Sequence, residues 1–323
     1  MLKRPRRNRR TPAIRSLYQE TTLSPNHFLM PFFILEGEKR REINPSLPGL
    51  YKFSSDEIVK EAEKLHKAGV PGILLFPIEE AHHKDHTGSR ALSPKSLVPQ
   101  TIRLLKKELP SLCVVCDVAL DPYTSHGHDG LIDPNGTVLN DETVKILSQM
   151  ALLYAESGAD IIAPSDMMDG RVLAIRNALD QSSFIDVGIL SYAAKYASSL
   201  YGPFRDTLKS TLQIGDKKNY QMDPRNAREA LREARLDEEE GADALMVKPA
   251  LFYLDVISKI KEAFDIPLCA YHVSGEYAMV MAAHEKGYLD ANKTFLEALI
   301  SIKRAGADFI ISYALPQVLP FLA

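Results

Sequence analysis

The sequence predicts an α/β protein folded as a (β/α)8 TIM barrel with an extended N-terminal arm. Three observations carry that expectation. Helix-like segments repeatedly end at a glycine and run directly into a short apolar stretch, as in KLHKAGVPGILLFP, LYAESGADIIAPS, DEEEGADALMVKP and SIKRAGADFIISY. The glycine suits the left-handed residue just past a helix, and the apolar run suits a strand buried on both faces. Strict alternation of strand and helix implies a parallel sheet, and eight such units in 323 residues favour closure into a barrel. A doubly wound open sheet is the alternative, disfavoured because no Gly-x-Gly-x-x-Gly follows an early strand.

Taken in order, the expected strands are Leu29–Ile34, Gly72–Pro77, Leu112–Ala119, Asp160–Ser165, Asp186–Tyr192, Ala244–Pro249, Pro267–Val273 and Asp308–Tyr313. Helical patterns fill the gaps, among them Ser55–Lys67, Asp141–Glu156, Pro224–Glu239 and Asp255–Phe264. Residues 1–24 form the arm and residues 25–323 a single catalytic domain, with no linker between further units. The arm begins MLKRPRRNRR, six basic residues in ten. A nucleic-acid tail, a transit peptide and a subunit-packing arm are the competing readings. Too little serine argues against the second and too short a basic block against the first, and from composition alone a solvated arm is the default.

Composition excludes other classes. At 45% hydrophobic and 25% charged residues the chain is an ordinary soluble globular protein. A net charge of -3 argues against nucleic-acid binding as its main work. No apolar stretch approaches the ~18 residues of a membrane span. Cys113, Cys116 and Cys269 are the only cysteines. The C-x-x-C they include lies in the strand-like LCVVCDV, so two small buried hydrophobes are expected, in a protein of the reducing cytoplasm.

The chemistry concentrates at strand ends. Lys195 follows the fifth expected strand and Lys248 closes the sixth, which makes them neighbours. Pro249 biases Lys248 toward extended backbone. A buried lysine packs poorly, but a neutral amine attacks carbonyls, and two lysines in one cavity depress each other's pKa. The segment DVALDPYTSHGHDG brings Asp117, Asp121, His126, His128 and Asp129 together, and its hard oxygen ligands would suit magnesium or an ammonium group. HHKDH, residues 82–86, reads as a solvated loop, and Asp237–Glu240 as a solvated helix end. YGPFRDTLKSTLQIGDKK, residues 201–218, is long for a strand-to-helix loop and reads as a lid, with Arg205 and Lys217 able to clamp a carboxylate.

Together these segments resemble the porphobilinogen synthases, also called 5-aminolaevulinate dehydratases, along essentially the whole chain. APSDMMDGRV, YGPFRDTLKS, GADALMVKP and YHVSGEYAM carry the resemblance. It implies a hydro-lyase that condenses two 5-aminolaevulinate molecules to porphobilinogen with loss of two waters, on the route to haem, chlorophyll and cobalamin. Lys248 matches the lysine of the propionate-side substrate and Lys195 that of the acetate side. Arg205 and Lys217 match the acetate-side carboxylate clamp, Ser274 and Tyr313 the propionate-side one, and Asp117 and Ser165 polar neighbours of the imines. Zinc-dependent members carry three cysteines where this chain has Ala119, Asp121 and Asp129. The resemblance is therefore to the aspartate-rich, magnesium-responsive type, with no catalytic zinc expected. Asp121 and Asp129 would contact the acetate-side amine or an active-site cation, and Glu233 an allosteric Mg²⁺. A homo-octamer, clasped by the basic arm, is implied. A class I aldolase, which needs only one lysine, and a non-catalytic relative of the same fold are the alternatives.

Overall fold

The computed structural model describes residues 1–322. Among them ten strands form one sheet: β1 (Phe28–Leu35), β2 (Arg41–Ile43), β3 (Tyr51–Ser54), β4 (Gly72–Pro77), β5 (Cys113–Val118), β6 (Ile161–Pro164), β7 (Gly188–Lys195), β8 (Ala244–Lys248), β9 (Leu268–His272) and β10 (Phe309–Ser312). Eight of them, β1 and β4 to β10, pair in parallel and in chain order. The ring closes where Phe28 and Leu29 of β1 pair with Ile310 and Ile311 of β10. Closure rules out the open-sheet alternative.

All eight expected strands are present, shifted by at most a few residues at their ends. Every residue of β1 is buried, as a strand covered by side chains inside and helices outside must be. The hairpin of β2 and β3 has no counterpart among the expected strands. At three and four residues its strands are too short for periodicity to announce them, although Phe53 and Ser54 of β3 are buried while β2 is mostly exposed. β3 borders β1 at Ile34 and Leu35, beyond the point where β10 leaves off.

The helices are α1 (Pro12–Leu17), α2 (Ser55–Lys67), α3 (Leu97–Glu108), α4 (Asn140–Glu156), α5 (Arg171–Gln181), α6 (Gly202–Leu208), α7 (Arg228–Glu239), α8 (Leu254–Ala263), α9 (Ser274–Glu285), α10 (Ala291–Ala305) and α11 (Leu315–Val318). α7 starts later than its expected Pro224, because the Asp223 side chain accepts the Arg225 backbone N–H at 2.9 Å and ties those residues into a turn. The arm holds α1 and a short 3₁₀ turn, and no residue before Glu20 is buried against the barrel. No helix among the described residues is long and apolar enough to cross a membrane.

The repeated Gly-Ala-Asp has a mechanical explanation at both of its residues. Gly158 and Gly306 take φ of +104° and +125°, which a side chain at that position would resist. Each following aspartate then staples the neighbouring strand. Asp160 accepts the Val114 N–H at 2.7 Å, Asp243 the Ile189 N–H at 2.7 Å, and Asp308 the Leu268 N–H at 2.8 Å. Lys106 and Lys261 neutralise two of these carboxylates from the adjoining helices. The motif therefore sets strand register at the end of the barrel remote from the polar residues.

One expectation fails outright. Asp237 is buried and not part of a solvated helix end. It receives the Arg171 guanidinium as a fork, Nη1 to Oδ1 at 3.3 Å and Nη2 to Oδ2 at 3.2 Å. Arg171 also donates to Ser191 Oγ and lies 3.7 Å from Asp166. A run of four acids looks solvated in sequence; the buried cation that claims one of them comes from another helix.

Candidate active site

The C-terminal ends of the strands converge on one polar cavity, where barrel chemistry is expected to gather. Lys248 is the last residue of β8 and Lys195 the last of β7, and the two pair directly across the ladder. Lys195 ends its strand as expected; β7 runs three residues beyond the expected Tyr192 because the register shifts between Ser191 and Ala194 and pairing with β8 then resumes. The backbone there is held tightly. Tyr196 N–H and the Tyr201 hydroxyl donate to the Lys248 carbonyl at 2.9 and 3.1 Å, and Met222 N–H donates to the Lys195 carbonyl at 3.0 Å.

The two amines occupy opposite environments. Lys195 Nζ donates to Asp129 Oδ2 at 3.1 Å and to the Ser165 carbonyl. Lys248 Nζ has no hydrogen-bond acceptor among the described residues. It sits among the rings of Tyr271, Tyr192, Phe204 and Tyr201, 4.6–5.2 Å from their centroids. Aromatic faces attract an ammonium by about 0.5–2 kcal/mol. Desolvation outweighs that attraction and, with the like charge of Lys195, brings the Lys248 amine down to about 7. A large fraction of Lys248 is then a neutral nucleophile near pH 7.

The carboxylates divide in the same way. Burial raises the Asp117 carboxyl to about 7 even with Lys248 and Lys195 nearby. Its Oδ1 and the Tyr192 hydroxyl are buried without partners. Burial also opposes ionisation of Asp129, but Lys195 and Lys217 outweigh it and hold Asp129 below the usual carboxylate range. Lys217 donates to Asp129 Oδ1 and lies 3.8 Å from Asp121. Each oxygen of Asp129 accepts from a lysine of the chain itself, Oδ2 from Lys195 and Oδ1 from Lys217.

Of the expected clamp residues, Arg205 lies on α6 within the lid and lines the same cavity as Asp117, Asp121, Asp129, Ser165, Lys195, Lys217 and Lys248. Ser274 and Tyr313 lie one layer further out. Ser274 Oγ accepts the Phe204 N–H at 3.1 Å and donates to the Leu200 carbonyl. The Tyr313 hydroxyl meets that of Tyr271 at 3.0 Å, so both connect to rings that face Lys248. Glu233 is elsewhere. It lies on α7, lining a separate cavity with Asp169, Asp223 and Glu229.

Residues 201–218 do cover the site, though the first part is helical. Lys84, from the segment read as a solvated loop, and His126 and His128, from the Asp117–Asp129 segment, fasten the lid. Lys84 Nζ donates to the carbonyls of Leu208 and Lys209 at 3.2 and 3.0 Å, capping the end of α6. His128 Nε2 lies 2.9 Å from the Ile214 carbonyl, and His126 accepts the Gln213 N–H through its own carbonyl. Gly127, at φ +78°, is required here, since a Cβ would lie 2.8 Å from the Thr211 carbonyl. The lid leaves about 20 Å³ in the cavity, roughly the space of one water.

Sequence reading missed the aromatic cage and Gln221. The four rings read as core because nothing in sequence distinguishes a ring facing leucine from one facing a lysine. Gln221, four residues after Lys217, is buried in the cavity wall with Oε1 unpartnered.

Comparison with known proteins agrees with this geometry. Residues 2–321 match the family model described as delta-aminolevulinic acid dehydratase. The delta-aminolevulinic acid dehydratase of Chlamydia pneumoniae is 54% identical over 320 residues, covering 99% of this chain and 96% of that one. That of Methanothermus sociabilis is 51% identical over 98% of this chain and 97% of its own. The crystal structure of delta-aminolevulinic acid dehydratase (porphobilinogen synthase) from Toxoplasma gondii ME49, in complex with the reaction product porphobilinogen, superposes with a TM-score of 0.97 at 47% identity, covering 99% of this chain and 92% of that one. With the paired lysines, the barrel that presents them and full-length similarity in agreement, the chain belongs to the delta-aminolevulinic acid dehydratase family.

Proposed function

We propose that Lys248 and Lys195 each carry one substrate molecule as an imine, and that their contrasting environments divide the work. The reaction is that of the family: a lyase condenses two 5-aminolaevulinate molecules into porphobilinogen with loss of two waters. The observation that carries the assignment is the adjacent pair of buried lysines at the ends of β7 and β8. A class I aldolase would leave the second lysine and the carboxylate clamps without a purpose.

Each imine expels one water as the lysine nitrogen replaces a carbonyl oxygen, which accounts for both waters lost. An iminium withdraws electrons and acidifies the neighbouring carbon, so a carbon nucleophile can form on one substrate and attack the other. The amine of the propionate-side molecule closes the ring, and both lysines leave as free amines. Lys248, with its amine brought down to about 7 and without an acceptor, is suited to attack first. Asp117, with a carboxyl near 7 and a free oxygen, can take and return the proton beside it. Asp129 and Asp121 can hold the acetate-side ammonium once Lys217 turns to the substrate carboxylate. On this reading Ser165, through its carbonyl, orients Lys195.

Arg205 and Lys217 hold the acetate-side carboxylate, and Ser274 and Tyr313 the propionate-side one. Arg205→Ala and Lys217→Ala are expected to raise the KM for substrate by about 10- to 100-fold, since breaking a buried charge pair costs several kcal/mol. Borohydride trapping of substrate on Lys248 should remain largely intact in both. Unchanged steady-state kinetics in both variants would remove the clamp.

Glu233 supports a regulatory cation. Burial raises its carboxyl, and Asp237, Asp169 and Glu229 add to the effect, so a cation beside it would relieve repulsion. No three His, Cys, Asp or Glu residues among those described converge as a ready-made metal site. Mg²⁺, which keeps most of its waters, fits such a place better than a metal needing several protein ligands. Magnesium is expected to stimulate activity and to favour the larger assembly, a homo-octamer clasped by the arm of residues 1–24, by binding the associated form. Glu233→Ala should abolish stimulation and calorimetric Mg²⁺ binding while basal turnover persists. Metal analysis of purified protein should find no stoichiometric zinc. One tightly held zinc per site, or a stimulated Glu233→Ala enzyme, would contradict this assignment.

A further inference from the structure

We propose that Glu276 is a positioning residue for the propionate-side substrate, fixing the distance between the imine lysine and the carboxylate anchor. The inference rests on the assignment of Lys248 and Ser274 above.

Glu276 lies in the first turn of α9, two residues after Ser274, and is fully buried. No lysine, arginine or histidine pairs with it among the described residues. Its Oε2 accepts the Val273 N–H at 2.7 Å, closing the first turn of α9 as a capping glutamate does. Capping does not account for Oε1. That oxygen accepts the Leu251 N–H at 2.6 Å, and the Ala250 N–H also faces the carboxyl. Ala250 and Leu251 belong to the loop directly after Lys248-Pro249. One carboxylate therefore joins the segment carrying the imine lysine to the helix that begins at the carboxylate anchor.

A third segment is tied to the same turn. Ser274 Oγ bonds the backbone of Phe204 and Leu200, at the base of the lid. Gly275 packs so closely there that a Cβ would lie 2.5 Å from the Leu200 carbonyl. The start of α9 thus indexes three things against one another: the Lys248 loop, the anchor hydroxyl and the lid. A keto acid spanning from Lys248 to Ser274 needs that spacing correct at both ends, whereas a simple ketone needs only the amine. Displacement by about 1 Å can lower a rate by about 100-fold when both ends are fixed.

The test compares two carbonyl probes on Glu276→Gln. Borohydride trapping of 4-oxopentanoate and of 2-butanone is followed by mass spectrometry at Lys248, alongside steady-state turnover and a thermal melt. Trapping of the keto acid should fall at least about tenfold, with butanone trapping unchanged. Equal losses for both probes would assign Glu276 to general stability, and no loss for either would remove it from the site. Should Glu276→Gln not fold, Glu276→Asp, which can still cap Val273, serves the same comparison. A wild-type label on a residue other than Lys248 would instead sink the underlying assignment of the lysine.

Discussion

Replacing Lys248 with alanine is expected to abolish porphobilinogen formation, with a loss of at least about 10⁴-fold, as for other covalent nucleophiles. No other amine occupies the aromatic cage, and Lys195 is engaged by Asp129 and the Ser165 carbonyl. Borohydride with substrate should label Lys248 in the wild-type protein. A label elsewhere, together with a Lys248→Ala enzyme that still turns over, would refute the assignment. The wild-type pH profile adds a second check. The Lys248 amine lies near 7, so kcat/KM should fall as pH drops through about 7 and the nucleophile becomes protonated. Lys195, Asp117, Asp121 and Asp129 all act on that amine, and Asp117 titrates in the same range. The limb therefore reports the pair and not one residue.

The same two groups act on folding with opposite signs. Lys248 has a folded pKa below its ordinary 10.5, so its penalty is complete below about pH 7 and is relieved as pH rises from 7 to 10.5. Asp117 has a folded pKa above its ordinary 3.8, so its penalty grows between pH 3.8 and 7. Both penalties meet near neutrality, the range in which the proposed mechanism uses a free amine beside a carboxyl that exchanges protons. Stability is sacrificed at the site that requires it.

Arg171→Ala is expected to be the most destabilising single change outside the core, by about 3–5 kcal/mol, because it leaves buried carboxylates without their cation. Arg171 is 3% exposed and forks onto Asp237, reaches Ser191 Oγ and the Tyr192 carbonyl, and lies beside Asp166, whose carboxyl burial raises to about 6. It joins α5, α7 and β7 at the point where the β7 register shifts. Asp166 follows Ser165, which contacts Lys195, so activity should fall with stability. Arg171→Lys should not rescue it, since a lysine cannot fork onto Asp237. Urea unfolding at fixed protein concentration measures the effect, and a loss below about 1 kcal/mol would show the network to be dispensable. Arg171→Met combined with Asp237→Leu should recover only part of the loss, because it removes one stranded carboxylate and leaves Asp166 buried without its cation.

The sequence by itself determined the barrel, because its signals are local and repeated. The glycines past α2, α4, α7 and α10, and the doubly buried strand after each, are dictated by backbone sterics and by the water each face avoids. The sequence also determined which residues could do the chemistry, since lysine at a strand end has little structural justification. The tertiary structure decided how those residues differ. Lys195 and Lys248 look alike in sequence, but Asp129, from the loop after β5, pairs with one while four rings from β7, the lid and β9 surround the other. Asp237 reads as solvated in sequence, and only the Arg171 guanidinium packed against it makes it a buried partner. Charge state, burial and spacing depend on residues far apart in the chain, and only closure of the barrel brings those residues into contact.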